Sequence, residues 1–204
     1  MFRIGLTGGI CSGKTFVLNI FQELKCYTLR ADDIAKDIIF SDNDELKDKI
    51  ASVFGDEILL SDNKLNKELF TKLLFQDNEK RNFINNVIHP LVIEERKKMI
   101  RDLEKTGIYK FFVYESALLV ESKSHEDFDK IIVVYTNPDE QKKRLVARDG
   151  ITEEEAMIKI KAQFPLSEKL KIANYTIDTT GPLELTRKNT LETFHLLEKE
   201  LLSK

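Results

Sequence analysis

The sequence has no run of about 18 apolar residues, the length a membrane-spanning helix needs. It has no basic excess either: 32 Lys and Arg against 35 Asp and Glu leave a formal net charge of −3. That argues against a general nucleic-acid binder, so any anion site must be local. Cysteine is scarce. Cys11 and Cys26 fit neither a metal-ligand spacing nor a disulfide framework, and a reducing cytoplasm is the simplest setting for them. Met1-Phe2-Arg3 runs straight into the first predicted strand, so no signal peptide is expected. There is no internal repeat and no low-complexity tract. What is present is the composition of an ordinary globular chain: 204 residues, 42% hydrophobic and 33% charged, enough for one domain or one domain with insertions.

Phe2 to Thr7 reads as a buried strand. Lys14 to Leu24 has a helical period, with Val17, Leu18, Ile20, Phe21 and Leu24 on one apolar stripe. Cys26 to Leu29 is a short second strand. Tyr109 to Tyr114 and Ile131 to Tyr135 are short runs rich in β-branched and aromatic residues, as buried parallel strands are. Tyr175 to Ile177 is a weaker strand, and a last helix starts near Pro182. About five strands separated by helices predict an α/β fold, a parallel sheet covered by helices on both faces. Two helical insertions interrupt it. The expected division is a nucleotide-binding core of residues 1–40, 109–138 and 172–204, an inserted helical subdomain 41–108, and a charge-dense helical segment 139–171.

Gly8 to Thr15 reads GGICSGKT, with a predicted strand before it and a helix after it. This is the P-loop pattern. A glycine-rich turn lets successive backbone N–H groups converge on phosphate oxygens, and the following helix presents its positive end to the same anion. Gly8, Gly9, Cys11, Ser12, Gly13, Lys14, Thr15 and Phe16 are therefore the expected nucleotide-binding residues. Lys14 reaches for the β- and γ-phosphates, and the Thr15 hydroxyl for Mg²⁺. The Asn-Lys-x-Asp string of a guanine reader is missing; Asn66-Lys67-Glu68-Leu69 lacks the aspartate. An early P-loop, a helical insertion and an arginine-bearing segment are instead the parts of a small P-loop kinase.

Further motifs, in order along the chain, resemble the dephospho-coenzyme A kinase family. The family's Thr-Gly-Gly-Ile-Gly-Ser-Gly-Lys-Ser/Thr is Thr7 to Thr15 here. Its Asp-Ala-Asp is Arg30-Ala31-Asp32, and its His-Pro is His89-Pro90. Its Leu-Leu-Phe-Glu is Leu118-Leu119-Val120-Glu121. Its Gln-x-x-Arg-x-x-x-Arg-Asp spans Gln141 to Asp149, with Arg144 and Arg148 in register. Its closing Ala-Asp-Tyr-x-Ile-Asp-Asn-x-Gly is Ala173 to Gly181. The departures are Cys11 for glycine, Arg30 for aspartate, Ala117 for proline, Asn174 for aspartate and Thr179 for asparagine. The resemblance implies a kinase that uses ATP and Mg²⁺ to phosphorylate the ribose 3′-hydroxyl of dephospho-coenzyme A. It implies a helical acceptor-binding insertion, a helical lid over residues 139–171, and a cytoplasmic monomer or weak homo-oligomer with neither nucleic-acid nor membrane partners. The readings kept beside it are a nucleoside or nucleoside monophosphate kinase and a nucleotide-sensing module without catalysis.

The candidate roles follow. Asp32 is the expected base for the acceptor hydroxyl and a substrate contact by resemblance; from the residues alone it equally caps the helix through Ile38. Lys14 and Arg148 are expected to neutralise charge on the transferring group, and Arg144 to contact nucleotide. Glu115 ends the third strand and is a candidate Mg²⁺ ligand with Thr15, or else a polar strand end. His89 is a substrate contact by resemblance, or a packed structural histidine. His125 and His195 are read as surface or core residues. Phe70, Leu73 and Leu74 form a core stripe, or a wall for the acceptor's pantetheine arm. Cys11 lies beside a helix N-terminus and Lys14, so a depressed thiol pKa is expected; the alternative is a shielded thiol facing the sheet.

Overall fold

The computed structural model describes residues 1–203, apart from the side chain of Phe75. Along the chain run β1 (Phe2–Gly8), α1 (Lys14–Glu23), β2 (Tyr27–Arg30), α2 (Ala31–Ile39), α3 (Asp44–Phe54), α4 (Lys67–Gln76) and α5 (Asn78–Thr106). They are followed by β3 (Phe111–Glu115), β4 (Lys130–Tyr135), α6 (Pro138–Asp149), α7 (Glu153–Lys161), α8 (Leu166–Lys171), β5 (Tyr175–Asp178) and α9 (Leu183–Leu202). The chain forms two compact units, residues 1–30 with 103–204, and residues 31–102.

The first unit is built on one five-stranded sheet in the order β2-β3-β1-β4-β5, with every pairing parallel. Parallel strands covered on both faces read as continuous apolar runs, and this is why the strands were visible in the sequence. Phe2, Ile4 and Leu6 of β1 are buried with Val113 of β3 and Ile132 and Val134 of β4. The stripe of α1 joins the same core: Val17, Leu18 and Phe21 are at most 3% exposed. Phe194 and Leu197 of α9 complete it, with Phe21 and Phe194 meeting edge to face at 6.2 Å. The strands lie within one or two residues of their predicted places; β2 and β3 end later, at Arg30 and Glu115. The register sets those two residues side by side.

The segment after β4 is three helices. Asn137 caps α6 by accepting from the Glu140 N–H, Pro138 occupies the first turn, and Gly150 closes it in the left-handed region at φ 65°. Thr152 and Glu155 then form a reciprocal capping box that starts α7. Ion pairs tie the two helices, Lys142 to Glu153 at 2.6 Å and Lys159 to Asp149 at 3.0 Å.

The second unit is helical. Phe70 packs against Phe40 at 5.7 Å and against Phe54 at 5.1 Å between ring centres. Phe70 is thus a core residue, while Leu73 and Leu74 are half-buried. Pro90 lies inside α5, where its ring removes one backbone donor from the helix ladder.

Candidate active site

The site starts where β1 ends. Gly8 is close against β4: a Cβ there would collide with the Val134 carbonyl oxygen. The chain then turns through Gly9 to Gly13, and Gly13, at φ 84°, sits immediately before α1. No side chain caps that helix start. The aligned peptide dipoles of the helix give this end of α1 partial positive charge. The Ser12 N–H donates to the Gly9 carbonyl at 3.3 Å and the Phe16 N–H to the Gly13 carbonyl at 3.1 Å, which fixes the turn. The Ser12 hydroxyl is buried and has no hydrogen-bond partner.

Lys14 curls back over the loop. Its Nζ donates to the Gly9 carbonyl at 2.9 Å and the Gly8 carbonyl at 3.3 Å. Thr15 is exposed. Beneath the loop lies Thr179, just past β5. Its hydroxyl donates to the Ser12 carbonyl at 2.9 Å and accepts from Arg144 Nη1 at 3.0 Å. Arg144 also donates to the Thr179 carbonyl at 2.6 Å and to Glu140 at 3.0 Å. The Arg144 guanidinium is thereby the brace that ties α6 to the floor of the loop.

Arg148 is more exposed. It forms two bonds to Asp149, at 2.8 and 3.4 Å. Those bonds, with Lys159, hold the Asp149 carboxyl down at about 2. The expected low thiol pKa of Cys11 is corrected here. Burial pushes the thiol up, and the opposing pull of Arg148, Lys14 and Arg144 does not overcome it. Cys11 also stands in the left-handed region, at φ 54°.

At the carboxyl ends of β2 and β3, Arg30 Nε lies 3.2 Å from Glu115 Oε2. Glu115 is 7% exposed, and the guanidinium compensates much of the cost of placing a carboxylate there. Among the described residues no cluster of three or more His, Cys, Asp and Glu could hold a metal. Mg²⁺ needs no such cluster, since it is commonly held through one or two protein oxygens with phosphates and water.

Asp32 and His89 belong to the second unit. Asp32 is exposed in the first turn of α2, within the helix rather than at the residue before it. A carboxylate there favours the helix through its dipole. His89 is half-buried in α5, and burial with the charge of Arg96 lowers its pKa, so it is neutral at pH 7. His195 is exposed beside Glu198, and His125 is half-buried.

A dephospho-CoA kinase family model matches residues 2–184, which takes in the loop, the strand ends and both arginines of α6. The chain belongs to the dephospho-CoA kinase family. It is 41% identical to the dephospho-CoA kinase of Carboxydothermus hydrogenoformans, over 92% of this chain and 90% of that protein. The enzyme of Listeria innocua is 36% identical over 92% and 93% of the two chains. The solved dephospho-CoA kinase of Campylobacter jejuni superposes with a TM-score of 0.73 at 28% identity, covering 97% of this chain and 98% of that one. A shikimate kinase from Bacteroides thetaiotaomicron shares the fold, with a TM-score of 0.50 at 16% identity.

Four of the five departures from the family pattern fall at positions whose local setting is defined. The glycine that dephospho-CoA kinases carry at position 11 suits a left-handed φ better than Cys11 does. Arg30 pairs with Glu115. Thr179 anchors the loop through its hydroxyl. The Asn174 amide oxygen accepts from the Ile131 N–H at 2.7 Å, a bond an aspartate could make equally. Sequence reasoning missed two loop contacts, from Gln141 and Gln163. Gln141 was visible only as a motif letter. Gln163 had no local signal.

Proposed function

We infer that this chain carries its family's reaction, transfer of the γ-phosphoryl group of ATP to the ribose 3′-hydroxyl of dephospho-coenzyme A, giving coenzyme A and ADP. The observation that carries the reading is the loop. It sets an uncapped helix N-terminus beside a lysine that can exchange two carbonyl partners for phosphate oxygens.

In the transfer, the bond from the acceptor's 3′-oxygen to the γ-phosphorus forms. The bond from that phosphorus to the bridging oxygen breaks, and its electron pair leaves with ADP. Asp32 takes the proton of the 3′-hydroxyl, and His89 contacts the acceptor as a neutral group. The loop from Gly8 to Thr15 grips the phosphates. Lys14 and Arg148 face the charge that spreads over the transferring group. The helical segment 139–171 serves as the lid that keeps water from competing as acceptor. The exposed Thr15 hydroxyl and the Glu115 carboxylate are the groups that would hold Mg²⁺. Held there, it would supply positive charge against the triphosphate.

The test is an acceptor panel with ATP and Mg²⁺. Phosphorylation of dephospho-coenzyme A at the 3′-position, with no turnover of nucleosides or nucleoside monophosphates, is expected. Slow ATP hydrolysis indifferent to any acceptor would instead mark a sensing module.

A further inference from the structure

Two glutamines hold one residue of the anion loop from opposite sides. The Ile10 N–H donates to Gln163 Oε1 at 2.6 Å, and the Ile10 carbonyl accepts from Gln141 Nε2 at 2.8 Å. Gln141 lies in the first turn of α6, and Gln163 lies just beyond the last turn of α7. The two ends of the α6–α7 pair therefore meet on a single residue. That residue precedes Cys11 and Ser12, where the loop turns toward α1.

Space is arranged for this clamp. A Cβ on Gly9 would approach Gln141 Nε2 to 2.7 Å, under the distance at which real Cβ atoms pack. A side chain at position 9 would therefore have to displace the Gln141 amide from its place on the loop. Gly9, Gln141 and Gln163 also line a cavity of about 250 Å³ beside the loop, which reaches the buried Lys169. The residue type fits too. A glutamine offers one donor and one acceptor without net charge. It can hold both backbone groups next to a triphosphate, where a carboxylate would repel the substrate and a lysine could only donate.

We propose that Gln141 and Gln163 are positioning residues for phosphoryl transfer, clamping Ile10 so that the anion loop and the α6–α7 pair move as one piece. The clamp rests on the kinase reading for its consequence but not for its geometry. It aims the loop at the transferring group while leaving the donors at the start of α1 to grip phosphate. Its loss should therefore slow the chemical step more than it weakens ATP binding.

The test uses the full chain, with amide hydrogen exchange at Ile10 and steady-state kinetics side by side. Gln163→Leu should accelerate exchange of the Ile10 amide. Gln163→Glu should restore slow exchange, because a carboxylate of the same reach still accepts. Gln141→Leu and Gln163→Leu should each lower kcat about 10–100-fold, the scale of a small misplacement at a reacting centre. KM for ATP should stay close to that of the wild type in both. Unchanged exchange in Gln163→Leu overturns the clamp. Unchanged kcat in both leucine variants, or a loss carried by KM for ATP, overturns the positioning role. If the wild-type chain itself showed no acceptor-dependent turnover, the kinase reading would fall, and the exchange result would still decide the clamp.

Discussion

Arg30 and Glu115 are direct register partners at the ends of β2 and β3, and their side chains meet at 3.2 Å. The pair places a fixed cation against a buried carboxylate at the site's edge, where the family pattern has an aspartate at position 30. If Glu115 holds Mg²⁺ as proposed, the guanidinium competes with the ion for that carboxylate. Arg30→Ala should lower the Mg²⁺ concentration that gives half-maximal rate, and Glu115→Gln should raise it. The alanine variant should also lose on the order of 1–3 kcal/mol of stability, because a buried carboxylate loses its guanidinium, and its Tm should fall by several degrees. A magnesium titration of the rate, with a melting curve for each variant, checks both.

Lys14→Ala should leave the fold intact, since its Nζ bonds here are to two backbone carbonyls of the loop rather than to the core. It should lower kcat on the order of 10²–10³-fold, as loss of a preorganised charge partner does. Asp32→Asn should lower kcat on the order of 10²–10⁴-fold with ATP binding little changed. A fall in melting temperature with normal turnover would assign Asp32 to its helix instead.

Cys11 should react slowly with thiol reagents at pH 7, because burial holds it protonated. Its labelling rate should climb only above the ordinary thiol range. Cys11→Gly should be active and more stable by up to about 1 kcal/mol, since glycine relieves the left-handed φ of 54°. Mass spectrometry of labelled protein across a pH series measures the first, and denaturant titration the second.

Arg144→Ala removes bonds to both Thr179 groups and to Glu140. The expected cost is about 1.5–3 kcal/mol, the range for hydrogen bonds to a charged group. KM for ATP should rise as the loop loses its floor. Arg144→Lys should recover little, because one ammonium cannot reproduce the fork. Melting curves and ATP saturation kinetics test this.

The pH dependence of the α6–α7 pair follows from Asp149. Its carboxyl is held at about 2, below the ordinary 3.8, first by Arg148 and then by Lys159. The stabilisation is complete above the ordinary value and fades as the pH falls from about 4 toward 2. Exchange protection across residues 138–161 should drop over that window in the wild type. Asp149→Asn should start lower and lose no more than the intrinsic exchange rate dictates.

Local features of the sequence were readable and tertiary ones were not. The P-loop and the strands could be read because each depends on neighbours in sequence: glycine spacing in one case, short apolar runs in the other. The Asn137 and Thr152 caps were equally local, and they would have divided the charged segment into its helices. The Arg30–Glu115 pair spans 85 residues, and the Ile10–Gln163 contact spans 153. Both depend on which strands and helices become neighbours. Cys11 was misread because its helix end and Lys14 are visible in sequence, whereas its burial is not.

The strand order has a consequence for synthesis. β1 is the central strand, yet Phe2 pairs with Phe111 and Ile4 with Lys130. A ribosome adding about 5–20 residues per second needs roughly 7–26 s to deliver both neighbours. For most of that time β1 waits without its neighbours, the condition under which strands aggregate. Residues 31–102 emerge in the interval and are helical, with partners close in sequence. They can fold first, while the sheet waits for β4.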